Sequence, residues 1–322
     1  MKKFFVAIFA IAAATACSNN DIISINNQKI GFDNPFVENS VRADYSDGVQ
    51  KLTSFNVYGI VKGTAGTVNI FDGVTVTKTP NNTDDIGDAV AGTWWYAAGN
   101  AQYWIPGADY NFAAVVDATV AKGDYNMPST LTTIADATSN LEDMLYATAQ
   151  VEDATAAQNP VNFTFSHLLS KVHFTVTSNA QGGYYHTVTG IKVSNFESGT
   201  YTIAGGTWAG STTTKDVEFA EIAQVTSEQG ATGKSNADLL LVPNAATFDV
   251  TFTVDLYKNG TKLGTETKTI PVTIKDANDD IVGLKAGNSY NFTIACSVGN
   301  PIKFTVTNDP AWADPTTDVT VQ

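Results

Sequence analysis

The sequence predicts an all-β protein built as two tandem β-sandwich domains. Short runs of alternating apolar and polar residues recur from Leu52 onward, clusters of Gly, Asn, Asp and Pro separate them, and only one stretch reads as a helix. Length sets the domain number: 322 residues exceed one small sandwich and suit two ordinary cores, at roughly 150 residues each.

In the first half, Phe55–Val61, Val68–Phe71 and Val74–Thr77 read as strands before the turn cluster Pro80-Asn81-Asn82. Tyr103–Gly107 and Tyr110–Val116 are strand-turn-strand text, and Ser139–Gln150 reads as a helix with Leu141, Met144 and Leu145 on one face. Asn159-Pro160 marks a break, which places an N-terminal sandwich over 49–159 and a C-terminal one over 160–322. The second half opens with Val161–Phe165 and Lys171–Val176, continues through Gly190–Val193, Gly199–Ile203 and Leu239–Pro243, and ends with Ser289–Ser297 and an alternating tail. Between them, Asn259-Gly260 joins two alternating runs, Phe248–Tyr257 and Thr261–Ile274; both central residues of such a turn must accept positive φ, which marks a hairpin.

Charge and composition exclude whole classes of function. With 18 basic against 32 acidic residues the net charge is -14, a field that repels phosphate backbones, so no nucleic-acid partner is expected. Three His and two Cys leave too few soft ligands for a built-in zinc or iron–sulfur site, and no metal or other cofactor is expected. His167 and His173, six apart, would stand about 20 Å from each other on one continuous strand, too far to share an ion. Asp276–Asp280 resembles the start of an oxygen-ligand calcium loop without its glycine or its closing Glu. Acidic doublets such as Asp84-Asp85 and Glu142-Asp143 read as solvated loops, and no nucleophile elbow, phosphate loop or dinucleotide fingerprint is present. No catalytic residue is expected, and the protein is not read as an enzyme. Trp94, Trp95 and Trp104 have two readings, a sugar-stacking platform or core packing; on a strand, one of the adjacent pair Trp94-Trp95 would have to point outward.

The N-terminus reads as an export signal. Met1-Lys2-Lys3 and the apolar run Phe4–Ala14 lead to Ala14-Thr15-Ala16-Cys17, which resembles a bacterial lipobox. Residues 1–16 are then a lipoprotein signal peptide, and Cys17 becomes the acylated, palmitate-bearing first residue of the mature chain. If so, Cys296 has no disulfide partner and serves as a small apolar residue of a strand. Residues 17–48 form a polar leader with two apolar islands, Ile22–Ile25 and Ile30–Phe32, suited to a tether or to a detachable edge strand. The chain holds 17 Lys and a single Arg, Arg42, in this leader. An arginine-specific protease would therefore have one target, the bond between Arg42 and Ala43.

Taken together, Cys17, Arg42-Ala43, Tyr103-Trp104, Tyr110–Ala114, Leu145-Tyr146-Ala147, the stretch Phe163-Thr164-Phe165-Ser166-His167-Leu168-Leu169-Ser170-Lys171-Val172 and the closing Trp312 resemble the fimbrillin (Mfa-like) family of type V pilus subunits in the Bacteroidales. The resemblance implies two transthyretin-like sandwiches exported as a lipoprotein whose precursor is anchored to the outer membrane. It further implies cleavage after Arg42 by an arginine-specific protease, loss of the first strand with the leader, and a groove filled by a C-terminal strand of another pilin subunit. That donor would lie in Ile302–Gln322, where Phe304–Thr307 and Val319-Thr320-Val321 alternate and Pro310 and Pro315 suit a hinge. The implied role is a structural fimbrial subunit at the cell surface that supports adhesion. The rival reading is a surface glycan-binding lipoprotein, not polymerised, that uses Trp94, Trp95 or Trp104.

Overall fold

The structure, a computed structural model, describes residues 28–33, 35–37, 52–78, 94–136, 140–156, 158–243, 247–275, 281–309 and 317–319. Cys17, Arg42, Ala43, Val321, Trp312, the island Ile22–Ile25 and Asp276–Asp280 lie outside the described residues.

The fold is all-β. In chain order the strands of the first half are β1 (Phe36–Val37), β2 (Ser54–Gly63), β3 (Gly66–Thr77), β4 (Asp109–Val116), β5 (Ala118–Lys122), β6 (Pro128–Thr133), β7 (Leu145–Val151) and β8 (Thr164–His167). They are followed by β9 (Ser170–Ser178), β10 (Tyr184–Phe196), β11 (Gly199–Thr202), β12 (Thr207–Gly210), β13 (Thr214–Glu218), β14 (Ile222–Val225) and β15 (Lys234–Ser235). The last are β16 (Leu239–Leu241), β17 (Thr247–Lys258), β18 (Thr261–Thr273), β19 (Ser289–Cys296), β20 (Lys303–Asp309) and β21 (Thr317–Val319).

A six-stranded sheet in the order β1-β8-β7-β4-β2-β3 builds the first core. Successive side chains of a strand face opposite sides, so Tyr110, Phe112 and Ala114 of β4 join the first core while Ala113 and Val115 enter a separate cluster behind the sheet. Burial on both faces explains the unbroken apolar run Phe112–Val116 of β4. Gly59 of β2 is a space requirement: a Cβ there would lie 2.9 Å from Phe112 Cδ1 and 3.1 Å from Phe71 Cδ2.

The second core lies between two sheets, one ordered β13-β10-β17-β18 with β14 also on β10, the other ordered β15-β9-β19-β20-β21 with β16 also on β9. Facing rings interlock across it: Phe174 is edge-on to Phe219 at 4.8 Å, and Phe252 stacks on Phe304 at 6.0 Å. The β17–β18 hairpin turns at Asn259 (φ 47°) and Gly260 (φ 84°), the conformation that the Asn-Gly pair suggests.

A four-stranded sheet, β12-β11-β6-β5, draws on both halves of the chain. Thr200–Thr202 of β11 pair with Thr130–Thr132 of β6, and Leu131 packs in the cluster with Tyr58, Leu168, Leu169 and Val242. The break at Asn159-Pro160 is therefore a bend within the first core, to which Val161, Phe163 and Phe165 still belong; Val172 is the first of this stretch in the second core. The helix expected over Ser139–Gln150 is corrected: from Leu145 onward this segment is β7, laddered between β4 and β8. Leu145 and Ala147 point into the core while Thr148 and Gln150 are exposed, a period of two that small Ala and Thr side chains mask in the sequence.

Candidate functional site

One wall of the first core comes from the leader. Residues 28–37 run between two stretches of the first domain and bond to both. On one side Ile30 N–H donates to Gln102 O at 2.8 Å and Trp104 N–H to Gln28 O at 3.1 Å. On the other, Val161 N–H donates to Gly31 O at 2.9 Å, Asp33 N–H to Val161 O at 3.1 Å, and Phe36 N–H to Phe163 O at 2.8 Å. Pairing with this second side is parallel: Phe32 is opposite Val161 and Phe36 opposite Thr164, so the leader carries one extra residue over that span, which includes Pro35.

The side chains alternate as a plug requires. Ile30 is 0% exposed, Phe32 5% and Val37 2%, whereas Phe36 between the last two is 58% exposed. Phe32 stands at the centre of an aromatic cage: it stacks on Phe163 at 5.9 Å and meets Phe55, Phe71, Tyr96 and Phe112 edge-on at 6.3, 5.6, 5.7 and 6.4 Å. The Tyr96 hydroxyl donates to Ile30 O at 2.6 Å. Burial raises the pKa of that phenol far above the ordinary range, so it remains a donor. Chemically the site is an apolar slot filled by Ile30, Phe32 and Val37, with backbone donors and acceptors along its edges.

The structure corrects the tryptophan platform. Trp94, Trp95 and Trp104 are 6%, 3% and 0% exposed and present no free ring face to a sugar. Trp104 packs edge-on to Tyr110 at 4.8 Å, and Trp94 tilts against Phe55 at 5.1 Å. Trp94 and Trp95 lie off any extended strand, Trp95 making only an isolated bridge to Thr77, so strand alternation does not force either outward. The histidines are held separately: His167 pairs with Asp143 at 3.0 Å, His173 with Asp238 at 3.4 Å, and His186 Nδ1 is 2.7 Å from Ser178 Oγ. Among the described residues no three His, Cys, Asp or Glu side chains gather as a metal site.

The expected donor region divides. Phe304–Thr307 is part of β20, laddered to β19 along Lys303–Asp309 with Val306 fully buried, so this stretch belongs to the body of the second domain. Val319 lies in β21, a three-residue edge strand paired opposite Val306. Of the plug residues, Ile30 and Phe32 fall in an island visible in the sequence. Val37 and the lining residue Tyr96 carried no signal, because their role depends on pairing across the domain.

No curated protein matches this chain. Among solved structures, a fimbrial protein from Bacteroides vulgatus ATCC 8482 superposes with a TM-score of 0.57 at 17% identity, over 88% of this chain and 99% of that one. A proposed cell adhesion protein from Bacteroides ovatus ATCC 8483 does so with a TM-score of 0.51 at 14% identity, over 88% of this chain and 96% of that one. At these identities the likeness is one of fold. The sequence itself matches the fimbrillin-like family across residues 42–310, most of its length, and the chain belongs to that family.

Proposed function

We propose that this protein is a structural fimbrial subunit, exported as a lipoprotein on Cys17, matured by cleavage between Arg42 and Ala43, and polymerised by donor-strand exchange. One observation carries the reading: a segment upstream of Arg42 is a buried wall of the first domain, with Ile30, Phe32 and Val37 in its core. A cut after Arg42 separates that wall from the domain it completes. Its departure would expose the rings around Phe32 and the unpaired edges at Gln102–Trp104 and Val161–Phe163, a vacancy that an extended strand fills. The strand offered is the C-terminal tail with Val319 and Val321, from another pilin subunit. Three residue pairs hold β21 to β20, Val306–Val319, Thr307–Asp318 and Asn308–Thr317, a short edge that detaches at small cost. The precursor would sit on the outer membrane by its lipid, the mature subunit in a surface fimbrium supporting adhesion. The glycan-binding rival loses its three rings to the core.

The test uses the Cys17→Ser precursor with an arginine-specific protease. The expected products are one new N-terminus at Ala43 and a ladder of oligomers, with an Arg42→Ala precursor remaining uncut and monomeric. A protein trimmed at Ala43 that stays monomeric at high concentration refutes the proposal.

A further inference from the structure

We infer that the slot left by the leader selects incoming strands by an aromatic socket: it is matched to an aliphatic residue followed two positions later by a phenylalanine-sized ring, supplied by a different subunit. The inference rests on the donor-strand reading above and concerns which donor fits.

Two neighbouring subsites are built differently. At one subsite Ile30 is fully buried in the first core, its carbonyl bonded to the Tyr96 hydroxyl and its N–H to the Gln102 carbonyl. The Phe32 subsite is walled by five rings, all with centroids within 6.4 Å of the Phe32 ring. Gly31 between them is bonded through its carbonyl to Val161 N–H. A Cβ on Gly31 would be 3.9 Å from Pro160 Cβ, ordinary contact, so the middle position accepts a side chain and specificity resides in the outer two.

This chain's own Val319-Thr320-Val321 has the right spacing and the wrong size. Thr320 is tolerated at the Gly31 position and Val319 suits the Ile30 pocket, but Val321 is a branched three-carbon group in a cage shaped around a benzyl ring. Interiors are packed to crystal density, so the missing atoms leave a void or force several rings to shift together. Reversing the direction of entry places Val319 in the cage and leaves the same deficit. Exchange between copies of this chain therefore still proceeds at high concentration but is weaker than exchange with a strand bearing an aliphatic-any-aromatic triplet, so the slot favours a heterotypic neighbour wherever one competes.

The Cys17→Ser precursor, cut with the arginine-specific protease and freed of its leader, is titrated with fluorescein-labelled peptides and binding is read by anisotropy. One pair carries residues 28–37 with Phe32 or with Phe32→Val; a second carries residues 315–322 with Val321 or with Val321→Phe. The expected result is at least tenfold tighter binding for the aromatic member of each pair, a difference of the order that a ring-for-branched exchange in a core produces. Equal affinity within each pair overturns the aromatic socket while leaving the donor-strand reading standing. Failure of all four peptides to bind overturns both.

Discussion

Truncating Phe32 to alanine should destabilise the precursor and leave the matured subunit untouched. The residue is 5% exposed and touches five rings, with stacked or edge-on geometry at each. Removing a buried Phe side chain costs about 4 kcal/mol, the transfer loss plus the cavity. With a urea slope of about 2 kcal/mol per molar, the unfolding midpoint of the first domain falls by about 2 M. The fluorescence of Trp94 and Trp104 contributes to the signal of this transition, since both pack in the same core as Phe32. The control is the same variant after cleavage and removal of the leader. Residue 32 is then gone, and its midpoint should coincide with that of the cut wild type. A precursor carrying Phe32→Ala that unfolds within about 0.3 M of wild type, well inside the expected shift, would show that the leader does not complete the core. An equal loss before and after cleavage would locate the damage elsewhere.

Two further outcomes test the body of the fold. Gly59→Ala puts a methyl against Phe112 Cδ1 and Phe71 Cδ2, at 2.9 and 3.1 Å, and should lower stability by about 1–3 kcal/mol; thermal unfolding reads it, and a neutral result would mean the two rings shift freely. Cys296 is 3% exposed and burial pushes its thiol pKa up to about 12. At pH 8 the group therefore stays protonated, and in the Cys17→Ser protein a disulfide reagent should label it only on unfolding. Rapid labelling of the native protein would contradict this packing.

Much of the fold is legible because local chemistry and tertiary structure agree. The Asn259-Gly260 turn can be read directly, since few other residue pairs accept positive φ at both positions. The strand β4 is equally plain, its apolar run reflecting burial on both faces. Disagreement comes where a partner distant in sequence decides. Leu141, Met144 and Leu145 have helical spacing, yet from Leu145 onward the ladders to β4 and β8 fix a strand. Asn159-Pro160 looks like a domain break, but Val161 just beyond it donates to Gly31 of the leader and stays in the first core. The same holds for Trp94 and Trp95: side-chain alternation is a property of strands, and these residues are not on one.

The candidate site was half legible for an energetic reason. Ile30 and Phe32 form a visible island, but short apolar stretches in a polar leader do not distinguish a tether from a wall. The burial of Ile30, Phe32 and Val37 makes their segment a wall and bounds how it could leave. At about 2 kcal/mol for each buried side chain, Ile30, Phe32 and Val37 together hold the leader by about 6 kcal/mol, a dissociation constant of about 10⁻⁵ to 10⁻⁴ M once the leader is a separate peptide. Breaking the peptide bond after Arg42 changes none of these contacts; it only frees one end of the strand. A cut leader is therefore held weakly and leaves on dilution below that concentration. An incoming strand would take up the bonds the leader made to Gln102, Val161 and Phe163, and keeps the slot only if it binds more tightly than the leader does. On this account the rate of assembly depends on the incoming strand's concentration and on the residue it brings to the Phe32 cage. In the proposed assembly, cleavage would act as permission and the fit of the new strand would supply the driving force.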